Sequence, residues 1–399
     1  MALHPGLGRA DPPMPMTPIA IAGIGATKPE RRSPKGIRAL CVEAVEAALA
    51  DACIAASEVD GILSDGLVMP ATVPRDYIAA QFGIDRRFDA GMSFGGAGTV
   101  AAPLQAQLAI SAGLARTVVY YFGVDWGTRA SGPYGFHDLY AAKMAFEKPY
   151  GFTGQPSYFA LWARRLMHEY GLTEHDLATI AVTQRENARL NPLSQMTAPM
   201  SYDDYFASRI VSEPLRVPDC CLITDGACAF VMTSLERARD LPRPPVRVLG
   251  CGFGSEPVSG DDVFTQAGGF GRIPGARLAA DRALAQAGLT LSDVDFAEVY
   301  DCFTISCLLQ IEDIGFCKRG EGAAFLREKG MGIAGKLPVN THGGLLSHSY
   351  LLGVEHVVEA VRQLRGDAGR AQVQNASVGL VGGLSNPDYG VLLLGRDAR

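Results

Sequence analysis

No run of about 18 uninterrupted apolar residues occurs in the 399-residue sequence, so nothing in it calls for a membrane-spanning helix. Long Lys/Arg runs are absent too, and the formal net charge is −6, which argues against nucleic acid or an anionic membrane surface as the main partner. Nine cysteines, an odd number, stand at 41, 53, 220, 221, 228, 251, 302, 307 and 317, without a paired CxxC or a Cys/His metal spacing. These absences point to a reducing cytoplasm and to a chain with no zinc site of its own. The opening segment, Met1 to Thr17, holds four prolines but neither the basic start nor the apolar stretch of a secretory signal, and residues 1–17 read as a disordered tail.

What is present is a 48% hydrophobic composition, enough for a sizeable core, and 46 glycines gathered at the ends of apolar runs where tight strand-to-helix turns are expected. Ile19 to Ile24 predicts a buried strand, and Ser33-Pro34 a cap and first turn for a helix running to about Cys53. Gly95 to Gly113 is small and Ala-rich, which predicts a buried helix, and Thr117 to Phe122 predicts a central strand.

The chain then repeats itself. Ala48 to Asp60 (ALADACIAASEVD) matches Ala283 to Asp295 (ALAQAGLTLSDVD) without gaps. In each half a Gly-Gly pair (Gly95-Gly96, Gly343-Gly344) opens an apolar helix that leads to a strand ending in glycine. Two duplicated α/β halves follow, one over 18–123 and 215–255 and the other over 256–399. Between them 124–214 forms an inserted region, with helices around Tyr158 to Tyr170 and Glu174 to Leu190, of the kind that shapes a substrate entrance. Ala22-Gly23-Ile24-Gly25 hints at a dinucleotide fingerprint, but Lys28 stands where the third glycine belongs, which excludes an NAD site.

These residues resemble the thiolase superfamily, and among its members the sterol-carrier-protein thiolases and lipid-transfer proteins, over Ile19 to Gly395. Asp219 to Ala227 is similar to the family's Asp-Gly-Ala strand segment, and Tyr300-Asp301-Cys302-Phe303 to its Asn-Glu-Ala-Phe or His-Asp-x-Phe loop. Gly343-Gly344 with Gly353 resembles the loop carrying its Gly-His-Pro, and Gly379 to Leu384 the loop carrying its second cysteine. The resemblance implies a thiolase fold, with the halves layered α-β-α-β-α.

A thiolase works through a nucleophilic cysteine, a histidine and a second cysteine. By the same resemblance these positions hold Gly95, Tyr350 and Leu380 here, and the Asn/His position holds Tyr300. Nothing at Gly95 can be acylated. Two tyrosines in these two loops resemble the steroid side-chain aldolases of the lipid-transfer-protein type, which implies retro-aldol cleavage of a bulky β-hydroxyacyl-CoA to a shorter acyl-CoA and a ketone or aldehyde. That reaction needs a base for the β-hydroxyl, support for the enolate and an acid for the α carbon, but no covalent intermediate.

Tyr300 is expected to take the proton of the substrate hydroxyl and Tyr350 to give or relay one to the enolate, or the reverse, with at least one phenol activated by its surroundings. His348 ranks third as a catalytic candidate. Gly95 and Gly96, at a helix start, either donate backbone N–H groups to the thioester oxygen or simply let the helix begin tightly, and Asp301 and Gly344 complete the expected substrate-binding set. Asp225 is expected to tie down a turn. Coenzyme A enters only as part of the substrate, with no other cofactor and no metal. The resemblance further implies a homodimer and a small partner combining an OB fold with a zinc ribbon. Two rival readings stand beside this one: acyl transfer through another nucleophile, with Cys302 nearest the pocket, and a non-catalytic acyl-CoA- or lipid-binding subunit.

Overall fold

The structure, a computed structural model, describes residues 16–65, 73–91, 95–129, 143–152, 154–257, 270–385 and 387–397. The expected tail therefore lies almost wholly outside the described residues. Strands are β1 (Ile19–Ala26), β2 (Gly61–Ser64), β3 (Phe88–Gly91), β4 (Thr117–Asp125), β5 (Ile210–Ser212), β6 (Leu215–Arg216), β7 (Asp225–Ser234), β8 (Val246–Ser255), β9 (Phe296–Val299), β10 (Val378–Leu384) and β11 (Asp388–Arg396). The first six helices are α1 (Ile37–Ala52), α2 (Arg75–Phe82), α3 (Gly95–Ser111), α4 (Gln155–Tyr170), α5 (Glu174–Leu190) and α6 (Tyr202–Ala207). They are followed by α7 (Leu235–Arg239), α8 (Ala276–Ala287), α9 (Thr304–Ile314), α10 (Gly322–Lys329), α11 (Gly344–Ser347) and α12 (Val354–Arg365).

Nine strands form one mixed sheet in the order β3-β2-β4-β7-β1-β8-β11-β10-β9, and β5 and β6 form a separate pair. The duplication is visible in that order. β2 runs parallel to β4, β4 antiparallel to β7 and β7 antiparallel to β1; likewise β9 runs parallel to β10, β10 antiparallel to β11 and β11 antiparallel to β8. The halves meet where β1 and β8 pair through Ala20↔Arg247 and Ile21↔Val246. β8 is thus the counterpart of β1, and the second half begins ahead of Val246 rather than after Ser255. The sequence match covered only the helix ends, which left the strand before them on the wrong side of the boundary.

The matched segments share one packing device. A Cβ on Gly23 would lie 2.3 Å from the carbonyl oxygen of Ala48, and one on Gly250 would lie 2.2 Å from that of Ala283. Ala48 and Ala283 are equivalent in the repeat, so the strand glycine and helix alanine form a matched pair in both halves and bring α1 and α8 close to the sheet. Gly23 and Gly25 are accounted for by this contact, in line with the rejection of a dinucleotide site. α3 lies against β8, β10 and β11 of the other half and against α12, while α1 and α8 cover the outer faces. The result is the five-layer thiolase-type arrangement, with α3 and α12 in the middle.

β4 is buried along Thr117–Val124, as expected of a central strand covered on both faces. α1 starts later than the Ser33-Pro34 signal suggested, with Gly36 as its N-cap, and the Ser33 N–H is bonded instead to Asp225 Oδ2 at 2.9 Å. In the inserted region α4 and α5 occupy the expected stretches, and the Thr173–Asp176 capping box fixes the start of α5. Among the described residues no helix is long and apolar enough to cross a membrane.

Candidate active site

Tyr300 leaves the C-terminal end of β9, and Tyr350 lies between α11 and α12. Their hydroxyl oxygens are 2.7 Å apart and their rings stand edge to face with centroids 6.0 Å apart. Tyr300 is 6% exposed and Tyr350 half-buried. The backbone holds each ring in place. The Tyr300 N–H donates to Gln310 Oε1 (2.9 Å), and Gln310 Nε2 returns a bond to the Tyr300 carbonyl (2.6 Å). The Tyr350 N–H donates to Thr224 Oγ1 (3.0 Å), whose hydroxyl donates to Gln195 Oε1 (3.1 Å), while Trp126 packs on the Tyr350 ring at 4.4 Å.

Glycine 96 brings the start of α3 to this pair. A Cβ there would lie 2.6 Å from Cδ2 and Cε2 of the Tyr300 ring, so only glycine leaves room for the tyrosine. Gly95 adopts φ +52°, a conformation that a side chain at the former nucleophile position would strain. Of the first backbone N–H groups of α3, that of Ala97 donates to Ser385 Oγ (2.9 Å). The N–H of Gly95 approaches the buried Asp65 carboxyl, which burial pushes up to about 7. Gly96 is therefore the donor candidate placed against Tyr300.

Neither phenol is activated in the sense expected from the sequence. Burial pushes both well above the ordinary phenol value, and among the described residues no cation faces either one to reverse the shift. The shared hydrogen bond brings neither phenol back to its ordinary value, and both stay raised. At neutral pH the pair is two neutral phenols.

Four other residues singled out in the sequence take different places. The Nδ1 of His348 lies 3.1 Å from Ser194 Oγ and 3.4 Å from Asn191 Nδ2, and burial lowers its pKa, so it is a neutral ring tied to the inserted region. Asp301, expected to meet substrate, is fully buried and accepts the N–H groups of Leu345 (2.9 Å) and Leu346 (3.4 Å) at the start of α11. A Cβ on Gly344 would lie 2.2 Å from Asp301 Oδ2, so these two residues face each other inside the protein rather than a ligand. Asp225 holds a turn as expected, accepting the N–H groups of Gly127 (2.7 Å) and Ser33 (2.9 Å) and the Thr128 hydroxyl.

Cysteine chemistry finds no foothold. Cys302 is 7% exposed, its Sγ lies 3.5 Å from Ser306 Oγ, and burial pushes its thiol up to about 12, which removes the thiolate that acyl transfer needs. Leu380 is fully buried in the same apolar cluster as Tyr300 and Cys302. Among the described residues, Glu298, His342 and His356 are the only His/carboxylate grouping compact enough for a metal ion, with donor atoms within 4.8 Å of one another. Both nitrogens of His356 face carboxylates, an arrangement that suits a paired imidazolium better than a ligand: Nδ1 is 3.7 Å from Glu298 Oε2 and Nε2 3.5 Å from Asp301 Oδ1.

Comparison with known proteins follows the same lines. Residues 262–388 match the family described as Thiolase C-terminal domain-like. The chain is 36% identical over 390 residues to a steroid side-chain-cleaving aldolase of Thermomonospora curvata, covering 95% of this chain and 98% of that protein. It is 34% identical over 382 residues to a 17-hydroxy-3-oxo-4-pregnene-20-carboxyl-CoA lyase of Mycobacterium tuberculosis, covering 94% and 98%. A solved structure titled Ltp2-ChsH2(DUF35) aldolase superposes with a TM-score of 0.87 at 35% identity, over 96% of this chain and 99% of that one.

Proposed function

The chain belongs to the thiolase superfamily, and from that premise we propose that it is a carbon–carbon lyase that cleaves a bulky β-hydroxyacyl-CoA by a retro-aldol reaction. The observation that carries this reading is the 2.7 Å bond between two neutral phenols, at the positions that the resemblance matches to a thiolase's Asn/His residue and its catalytic histidine. A retro-aldol cleavage moves one proton from the β-hydroxyl to the α carbon as the bond between the β and α carbons breaks. No water, free thiol or oxidant is consumed. A hydrogen-bonded phenol pair can carry that proton with no net change in its own charge: one hydroxyl accepts from the substrate as it passes its own proton to the second, which protonates the α carbon. We assign Tyr300 as the acceptor from the hydroxyl and Tyr350 as the donor to carbon, and the 2.7 Å bond between them serves equally with the roles exchanged. The N-terminal end of α3 at Gly96 supplies a backbone donor and a positive dipole end for the enolate oxygen.

The names of the relatives point to a steroid-type acyl group, with coenzyme A arriving as the thioester and no other cofactor needed. The Ltp2-ChsH2(DUF35) title supports a heteromeric assembly. We extend this to a homodimer of the present chain joined by a small partner with an OB fold and a zinc ribbon, working in the cytoplasm.

The test is to co-produce the chain with that partner and supply 17-hydroxy-3-oxo-4-pregnene-20-carboxyl-CoA. Release of a 17-ketosteroid and propionyl-CoA without added free CoA supports the lyase, because thiolysis would consume the thiol. Binding of this thioester and of shorter β-hydroxyacyl-CoAs without any cleavage would leave only the binding-subunit reading.

A further inference from the structure

Each tyrosine of the pair is bracketed along the chain by buried ionisable residues of one type. Glu298 and Asp301 flank Tyr300, and His342 and His356 flank Tyr350; all four are at most 1% exposed. In space they form a chain that alternates acid and imidazole. His342 Nδ1 is 3.1 Å from Glu298 Oε2, which is 3.7 Å from His356 Nδ1, and His356 Nε2 is 3.5 Å from Asp301 Oδ1. The ring N–H groups are not aligned for full hydrogen bonds, so the contacts are close electrostatic approaches rather than a ladder. From this geometry we infer that Glu298, His342, His356 and Asp301 act together as positioning residues, a buried electrostatic clasp that locks the Tyr300 loop to the Tyr350 loop and so sets the distance between the two phenols.

The clasp is braced at both ends. Glu298 Oε1 accepts the N–H (3.1 Å) and hydroxyl (2.6 Å) of Thr341, next to His342, and Asp301 accepts two N–H groups of α11, the helix that leads to Tyr350. Burial works against the charge of His356, but the carboxylates of Asp301 and Glu298 outweigh it and hold the imidazolium to about 10; burial likewise opposes ionisation of Glu298, which His342 and His356 bring down to about 2. The central pair stays charged across the working range of pH. Removing His356 leaves the buried carboxylates of Glu298 and Asp301 without their shared counter-charge, whereas neutralising Glu298 as well leaves only Asp301, which keeps the two N–H groups of α11.

The catalytic meaning of the clasp rests on the lyase reading, but its geometry can be tested without turnover. 3-Fluorotyrosine placed at position 350 gives a 19F resonance that reports the environment of that ring. His356→Gln should shift this resonance in the folded complex and lower kcat on 17-hydroxy-3-oxo-4-pregnene-20-carboxyl-CoA about a hundredfold, with KM nearly unchanged. The Glu298→Gln/His356→Gln double variant should regain at least about tenfold of that loss and move the resonance back, which a merely structural histidine would not do. His342→Asn, at the other end of the buried chain, should give a smaller change in the same sense and decides the matter if His356→Gln does not fold. An unshifted resonance with kcat within about threefold of the parent overturns the clasp. So does a divalent ion held one per chain and lost with His342→Ala. A shifted resonance in a chain that cleaves no thioester would leave the clasp standing and remove the lyase.

Discussion

The hydroxyl of Tyr300 lies 2.7 Å from that of Tyr350, although fifty positions separate them in sequence and each belongs to a different loop of the second half. Burial raises both phenols and no neighbouring cation among the described residues lowers them, so the pair can exchange a proton between its members far more readily than it can hold a phenolate.

The pH dependence follows from that direction. With both phenols pushed above their ordinary value of about 10, kcat should stay level from about pH 6 to about pH 9. A base that had to ionise first would give a rate rising about tenfold per pH unit over the same interval. The sign for stability is the opposite of a carboxylate's: the folded state keeps protons that the unfolded chain gives up, so stability falls only as pH rises past about 10. Steady-state rates and thermal melts over this range check both statements.

Gly96→Ala should disturb the site by displacing the Tyr300 ring while both phenol hydroxyls are kept. The new Cβ would lie 2.6 Å from the Tyr300 ring and 2.8 Å from the Leu384 carbonyl oxygen, and Gly353 already sits against the same ring edge. The ring must shift from its place beside Tyr350. The expected cost is about 1–3 kcal/mol of stability and about a hundredfold in kcat, measured by denaturant unfolding and by turnover.

How far these relationships could be read from the sequence differs from residue to residue. The two tyrosines and Gly95 were legible because the Gly-Gly and Tyr-Asp-Cys-Phe segments fix their positions by family pattern. The Ala48 and Ala283 repeat was legible because a close strand–helix contact demands small residues at matched places. Asp301 was misread: standing next to Tyr300 in sequence, it was assigned to the substrate, but the chain turns its carboxyl away to the start of α11. Trp126 against Tyr350 and the His342–Glu298–His356–Asp301 chain carry no local signal, since they exist only once distant segments have folded together.

Cys302→Ala should retain activity close to that of the parent complex, and iodoacetamide should inactivate the parent only slowly. The thiol is buried and held up to about 12, so almost none of it is the reactive thiolate at neutral pH. Rapid inactivation that tracks labelling of Cys302, and disappears in Cys302→Ala, would restore acyl transfer as the rival.

The central claim is that the two phenols work as one relay, and a double-mutant cycle on 17-hydroxy-3-oxo-4-pregnene-20-carboxyl-CoA tests it most directly. Tyr300→Phe and Tyr350→Phe should each lower kcat by a factor of about 100 to 10,000 while thioester binding persists, and the double variant should be no slower than the slower single one, because breaking either end stops the same proton. Losses that multiply in the double variant, or a single variant that turns over at the parent rate, would contradict the relay.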